Sequence, residues 1–219
     1  TFETKLHPKA DLPQAQRVAK EAGAIHHVIY VNELDNEEML NNPENRCYLC
    51  KKYLFQNLLA FAAEKGIDTI MEGNNADDLH VYRPGTKAVK ELGVLSPLAE
   101  LGITKAQVRE IAADMGLSCA SRPSSPCLAT RLPYGTPISF ELLERVDTGE
   151  QWMKEQGFPI VRLRVHGDIL RIEIEKERFA DFIAMSDQIT AKMKELGFAY
   201  ITLDAEGFRS GSMDVHIVK

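Results

Sequence analysis

Between residues 121 and 137 the chain reads SRPSSPCLATRLPYGTP, and the order of secondary-structure signals changes across it. Four prolines in this stretch rule out a continuing helix or an inner strand, so it separates two differently built regions. Before it, DLPQAQRVAKEA (11–22) has a helix-start proline and stops at Gly23, and AIHHVIYV (24–31) reads as a β-branched strand. A second helix ending near residue 64 carries Leu54, Leu58, Leu59 and Phe61 on one stripe, ahead of the apolar run IDTIM (67–71). Thr104 with Gln107 three residues on is a capping-box signature for a helix that stops at Gly116. Helices alternating with short apolar strands predict an α/β region whose parallel sheet is covered on both faces.

After the proline-rich stretch the order is different. Ser139 is placed to cap a helix running to about Gln156, followed by IVRLRVH (160–166), a Gly167-Asp168 turn and ILRIEIE (169–175). A helix over about 178–196 and the strand AYITLD (199–204) complete an α-β-β-α-β unit. The expected division is a parallel-sheet domain over 1–133 and a smaller α+β domain over 134–219.

Composition narrows the function classes. The 219 residues are 44% hydrophobic and 26% charged, enough for a substantial core, and the net charge of -6 gives no reason to expect a nucleic-acid surface. No apolar run reaches the roughly 18 residues a membrane helix needs, and no charged-then-apolar leader opens the chain, so a cytoplasmic location without a membrane partner is expected. Four cysteines are too few for a disulfide scaffold.

Two segments carry chemistry by spacing. Cys47 and Cys50 in RCYLCKK, with Cys127 in SSPCLATR, present three thiols from two segments. Their arrangement suits a structural zinc site completed by Cys119, a 4Fe-4S cluster with one iron left open, a redox dithiol, or small core residues. In IVRLRVHGDILRIEIE a period of two places Arg162, Arg164 and His166 on one face, with Arg171, Glu173 and Glu175 alternating on the next strand. Two such arginines suit a bidentate clamp on phosphate or carboxylate, or an exposed face of cross-strand ion pairs. The loop EGNNADD (72–78) after IDTIM offers Asn74, Asn75, Asp77 and Asp78 at the carboxyl end of an expected strand, where open parallel sheets bind ligands. Glu150, Asp181 and Arg209 carry no signal by spacing.

The motifs RCYLCKK, EGNNADDLHVYRPG, SPLAELGITKAQVR, SSPCLATRLPYGT, FPIVRLRVHGDILRIE and ITLDAEGFRSG occur in this order. Together they resemble the LarE-type ATP-dependent sulfur transferases of the PP-loop ATP pyrophosphatase superfamily. The resemblance runs from the first residues to about Met213. It implies a PP-loop domain followed by a smaller domain, and an enzyme that uses ATP and Mg²⁺ to adenylate a carboxylate of pyridinium-3,5-biscarboxylate mononucleotide. Sulfur then replaces AMP to give a thiocarboxylate, on the way to the nickel-pincer cofactor of lactate racemase.

Carried over residue by residue, the resemblance makes Cys47, Cys50 and Cys127 ligands of a 4Fe-4S cluster and leaves Cys119 outside that pattern. It places Cys127, Thr130 and Arg131 at the sulfur-transfer step, and Asn74, Asp77, Asp78 and Arg83 on the nucleotide side. Arg162, Arg164, Glu173 and Arg209 fall on the substrate-phosphate side, with Glu150 and Asp181 toward a divalent metal. It also implies a homo-oligomer, trimer or hexamer, acting on a small nucleotide-like substrate. The family's SGGxDS phosphate loop is absent from the sequence, and the expectation is that it precedes Thr1. The other readings are a different PP-loop enzyme, thiolating tRNA or making a queuosine precursor, and a non-enzymatic zinc-binding module.

Overall fold

The computed structural model describes residues 1–81 and 83–215. Tyr82 of the EGNNADDLHVYRPG motif and residues 216–219 of the second expected domain lie outside the described residues. The chain divides into two compact units, Thr1–Thr4 with Lys9–Ser124, and Lys5–Pro8 with Ser125–Lys219. Both combine helices with short strands, and the structure is α/β.

In the first unit, β1 (Phe2–Glu3) pairs in parallel with β2 (Ile29–Tyr30) around α1 (Asp11–Glu21). The helix α2 (Arg46–Glu64) packs against α3 (Gly85–Glu91), and α4 (Pro97–Glu100) and α5 (Lys105–Asp114) follow. At α5 the capping box forms as expected, with the Thr104 hydroxyl accepting from the Gln107 N–H and the Gln107 side chain accepting from the Thr104 N–H. The expected strands are much shorter than their apolar runs. Residues 24–31 yield only Ile29–Tyr30, and IDTIM makes one parallel bridge, Met71 to Leu95. A strand extends only where a neighbour supplies partners for its N–H and C=O groups, and among the described residues these runs have a two-residue neighbour or a single bridge.

The second unit follows the expected α-β-β-α-β order. α6 (Phe140–Glu155) begins at Ser139, whose hydroxyl accepts from the Leu142 N–H. β3 (Val161–His166) and β4 (Ile169–Ile174) form an antiparallel pair around Gly167, which takes φ 60° as a two-residue hairpin turn requires. The helix expected over 178–196 is two, α7 (Phe179–Ala184) and α8 (Ser186–Glu195). They are separated at Met185, whose N–H is shared between the Asp181 and Phe182 carbonyls, a tightening typical of a helix end. β5 (Tyr200–Leu203) then joins β4 in parallel, giving the order β3-β4-β5.

One face of this sheet is the core of the unit. Leu163, Leu170, Ile172 and Ile174 are fully enclosed, as are Leu143, Val146 and Met153 of α6 and Ile189 and Met193 of α8. No helix among the described residues is long and apolar enough to cross a membrane.

Gly149 marks the closest approach of α6 to this core, because a Cβ there would lie 2.6 Å from Leu163 and 3.3 Å from Leu196. Gly149→Val is therefore expected to lower stability by about 1–3 kcal/mol through overpacking, measured by urea unfolding, although glycine is itself a poor helix former.

Candidate functional site

In the first unit the Asn-Asp loop is a tightly bonded turn. Asn75 and Asp78 form a reciprocal cap on a short 3-10 helix, and Asp77 accepts the Lys105 N–H at 2.9 Å, holding the start of α5. Asp78 also pairs with Arg83 at 2.8 Å, and Asn74 is buried beside them. The four residues expected on the nucleotide side thus share one loop region, and its carboxylates fix its shape.

Cys47 and Cys50 lie in the first two turns of α2, three residues apart and so on one helix face. Neither forms a disulfide; Cys47 is exposed and Cys50 half-buried. Arg46, buried at the helix start, bonds Asn42 and directs an N–H toward the Cys47 sulfur at 3.9 Å. Gly85 lets the start of α3 approach the Cys47 carbonyl, which a Cβ would crowd at 3.3 Å.

In the second unit Cys127 heads a 3-10 turn, Leu128–Arg131. Arg131 is 1% exposed, and its Nε and Nη2 each donate at 2.8 Å to Glu150, which is equally enclosed on α6. Its remaining nitrogen donates to the carbonyls of Pro126 and Cys127 at 3.2 Å and to the Thr130 hydroxyl, which donates in turn to the Cys127 carbonyl. Arg131 therefore acts by holding the backbone on either side of the thiol, a positioning role. Burial raises the Glu150 carboxyl, but the hydrogen bonds and charge of Arg131, the Leu163 N–H and the charge of Arg162 outweigh it and leave its pKa below the usual 4.5.

The second face of the β3-β4-β5 sheet is charged and, at Arg162, Arg164 and Glu173, also buried. Arg164 donates through Nε and Nη2 to Glu173 and through Nη1 to the Thr130 carbonyl, which joins this face to the cysteine turn. Glu173, with no exposed surface, accepts from Arg171 and the Ser212 hydroxyl as well. Arg162 lies over the Phe208 ring at 5.2 Å. Burial, then the charge of Arg131, lowers the Arg162 pKa; burial is also the first cause for Arg164, with Glu173 opposing it. Asp204 receives both Arg171 and Arg209 on one oxygen. Four guanidiniums thus pair with Glu150, Glu173, Asp204 and the exposed Glu206, and Arg162 adds a fifth, buried positive charge beside them, an arrangement that suits an oxyanion.

Of the expected site residues, this unit brings together Thr130, Arg131, Glu150, Arg162, Arg164, Glu173 and Arg209. The arginine strand face is enclosed, unlike the exposed strand face that was the other reading of its alternation, because residues 204–214 cross it. Asp181 stands apart at the surface, paired with Arg178 at 3.1 Å. Among the described residues no three His, Cys, Asp or Glu side chains converge as a metal site. Arg171 was legible as the same-face neighbour of Glu173, whereas nothing local marks Ser212 or Phe208.

A buried pair that loses one partner leaves an uncompensated charge. Arg131→Met is expected to cost about 3–5 kcal/mol in urea unfolding, with Arg131→Met/Glu150→Leu recovering most of it. Since the folded pKa of Glu150 lies below its unfolded value, its contribution is complete above about pH 4.5 and is lost as pH falls through the folded value. Unfolding followed against pH should show that part of the acid decline missing in Glu150→Gln.

No protein-family model matches the chain. It is 39% identical over 95% of its length to an uncharacterized protein of Synechocystis, covering 79% of that protein. An uncharacterized protein of Methanocaldococcus jannaschii is 31% identical over 80% of this chain, which covers 68% of that relative. Pyridinium-3,5-bisthiocarboxylic acid mononucleotide synthase of Lactiplantibacillus plantarum is 34% identical over 99% of this chain, which covers 78% of it. With identity at this level over nearly the whole chain, the protein belongs to the family of pyridinium-3,5-bisthiocarboxylic acid mononucleotide synthases.

Proposed function

We propose that the protein adenylates a carboxylate of pyridinium-3,5-biscarboxylate mononucleotide with ATP and Mg²⁺, releasing pyrophosphate, and then exchanges AMP for sulfur to give a thiocarboxylate. The observation that carries this reading is the 34% identity over 99% of the chain to the synthase of that product. Chemically, a carboxylate becomes a good electrophile only when its oxygen is made part of a leaving group, and a sulfur nucleophile then displaces AMP.

The arrangement within each unit supports the assignment of roles. Arg162 and Arg164 take the substrate phosphate. Arg164 uses three of its N–H groups on Glu173 and Thr130 and retains two for a ligand. Glu173 orients Arg164, and Arg131 with Glu150 holds the turn that presents Cys127. The loop bearing Asn74, Asp77, Asp78 and Arg83 faces ATP in a PP-loop domain, with Mg²⁺ on the phosphates. Asp181 remains available to a divalent metal, while Glu150 serves it only by positioning Arg131, since both its oxygens are occupied. The protein works in the cytoplasm as a homo-oligomer, trimer or hexamer.

The sulfur source in this reading is a 4Fe-4S cluster held by Cys47, Cys50 and Cys127. The donor chemistry of the helix pair fits: two cysteines outside any disulfide and one turn apart are ligands of the right kind, and the Arg46 N–H toward Cys47 suits a thiolate. When bound, the group supplies an open iron position able to carry sulfur.

Pyrophosphate release that depends on the pyridinium compound, with thiocarboxylate product seen by mass spectrometry, is the expected result. Pyrophosphate release indifferent to that compound, with no thiocarboxylate, would overturn the reading. Protein purified without air is expected to hold about four irons per chain, and stoichiometric zinc without iron would remove the cluster from it.

A further inference from the structure

The charged face of the second unit holds nitrogens that the phosphate assignment leaves unused. His166 Nε2 and Arg209 Nε are each buried without a hydrogen-bond partner, and Arg171 Nε, which also makes no hydrogen bond, has only a long 3.5 Å approach to Asp204. A buried polar nitrogen lacking a good partner is costly, so these nitrogens in one patch, with the guanidinium ones always donors, mark a place where an acceptor belongs.

Their placement is not scattered. Arg171 and Arg209 approach the same Asp204 oxygen, at 3.5 and 3.2 Å. His166 lies one same-face position beyond Arg164 on β3 and diagonal to Arg171, because Arg164 faces Arg171 and His166 faces Ile169 in the register. Arg171 is shared between Glu173 and Asp204, and Arg209 between Asp204 and the exposed Glu206, so Glu173 and Asp204 each serve two cations. Unlike Arg162 and Arg164, these two arginines keep 27% and 36% of their side-chain surface open. Beyond His166 the same face ends in the Ile169 and Tyr200 pair, exposed at 44% and 64%, an apolar floor beside the cationic patch.

We propose that His166, Arg171 and Arg209 form a second oxyanion subsite, which takes a ring carboxylate of the substrate whose phosphate Arg162 and Arg164 hold. A mononucleotide carries its phosphate and its ring on opposite sides of a ribose, so its two kinds of anion need two separate sets of donors. Ile169 and Tyr200 receive the ring beside that carboxylate. Arg209 thereby moves from the phosphate group of residues to the carboxylate group. The assignment rests on the substrate reading above and adds the feature by which the site distinguishes a ring acid from a ring amide.

Nicotinate mononucleotide and nicotinamide mononucleotide, which differ in that one group, test it by isothermal titration calorimetry on the full chain. The unaltered protein is expected to bind the nicotinate form about tenfold more tightly, the scale of one hydrogen-bonded charge contact. His166→Leu and Arg171→Met are each expected to bring the ratio toward unity while leaving affinity for the nicotinamide form unchanged. Arg171→Met also removes a donor from Glu173, whereas His166→Leu takes away no observed hydrogen bond, so the histidine variant decides the matter if the arginine variant fails to fold. A preference that persists in His166→Leu overturns the subsite. Equal binding of the two compounds by unaltered protein overturns it and leaves the phosphate reading standing, and binding of neither overturns both.

Discussion

The ion pair between Arg131 and Glu150 is the contact on which the second unit's arrangement depends. Glu150 reaches from α6 to accept both the Leu163 N–H of the sheet and two N–H groups of Arg131. Arg131 spends its other nitrogen on the backbone around Cys127. Helix, sheet and thiol-bearing turn therefore meet at one enclosed charge pair. Charges this deep are stable only while every partner is in place, since desolvation is repaid by the pair and its accessory hydrogen bonds together. The same property makes the turn's conformation hard to change without disturbing the helix beneath it.

From that turn the bonding continues through the Thr130 carbonyl to Arg164, then to Glu173, and from Glu173 to Arg171 and Ser212. A three-stranded sheet usually has one dry face and one wet one. Here both faces are enclosed around β3 and β4, the first by apolar side chains of α6 and α8, the second by residues 204–214 lying over the arginines. Enclosure strengthens each electrostatic contact on the charged face.

How much was legible in advance follows the range of the interactions. The Thr104 capping box, the Ser139 cap and the Gly167 turn each involve residues within three or four positions, and all three form as their local pattern implies. The alternation of Arg162, Arg164, Arg171 and Glu173 also reads directly, because side chains on strands alternate between faces. By contrast, the apolar runs at 24–31 and 67–71 look like full strands yet form a two-residue strand and a single bridge. Pairing depends on neighbours, which a single run does not specify.

Local spacing therefore established the α/β character, the element order around the hairpin, and the grouping of arginines on one strand face. Long-range contacts settled the rest: that this face is covered, that Glu150 and Arg131 bind each other across 19 positions, and that Ser212 reaches Glu173 across 39. No local pattern encodes these, because a buried charge is tolerated only when partners distant in sequence arrive together, and that arrival is a property of the folded chain.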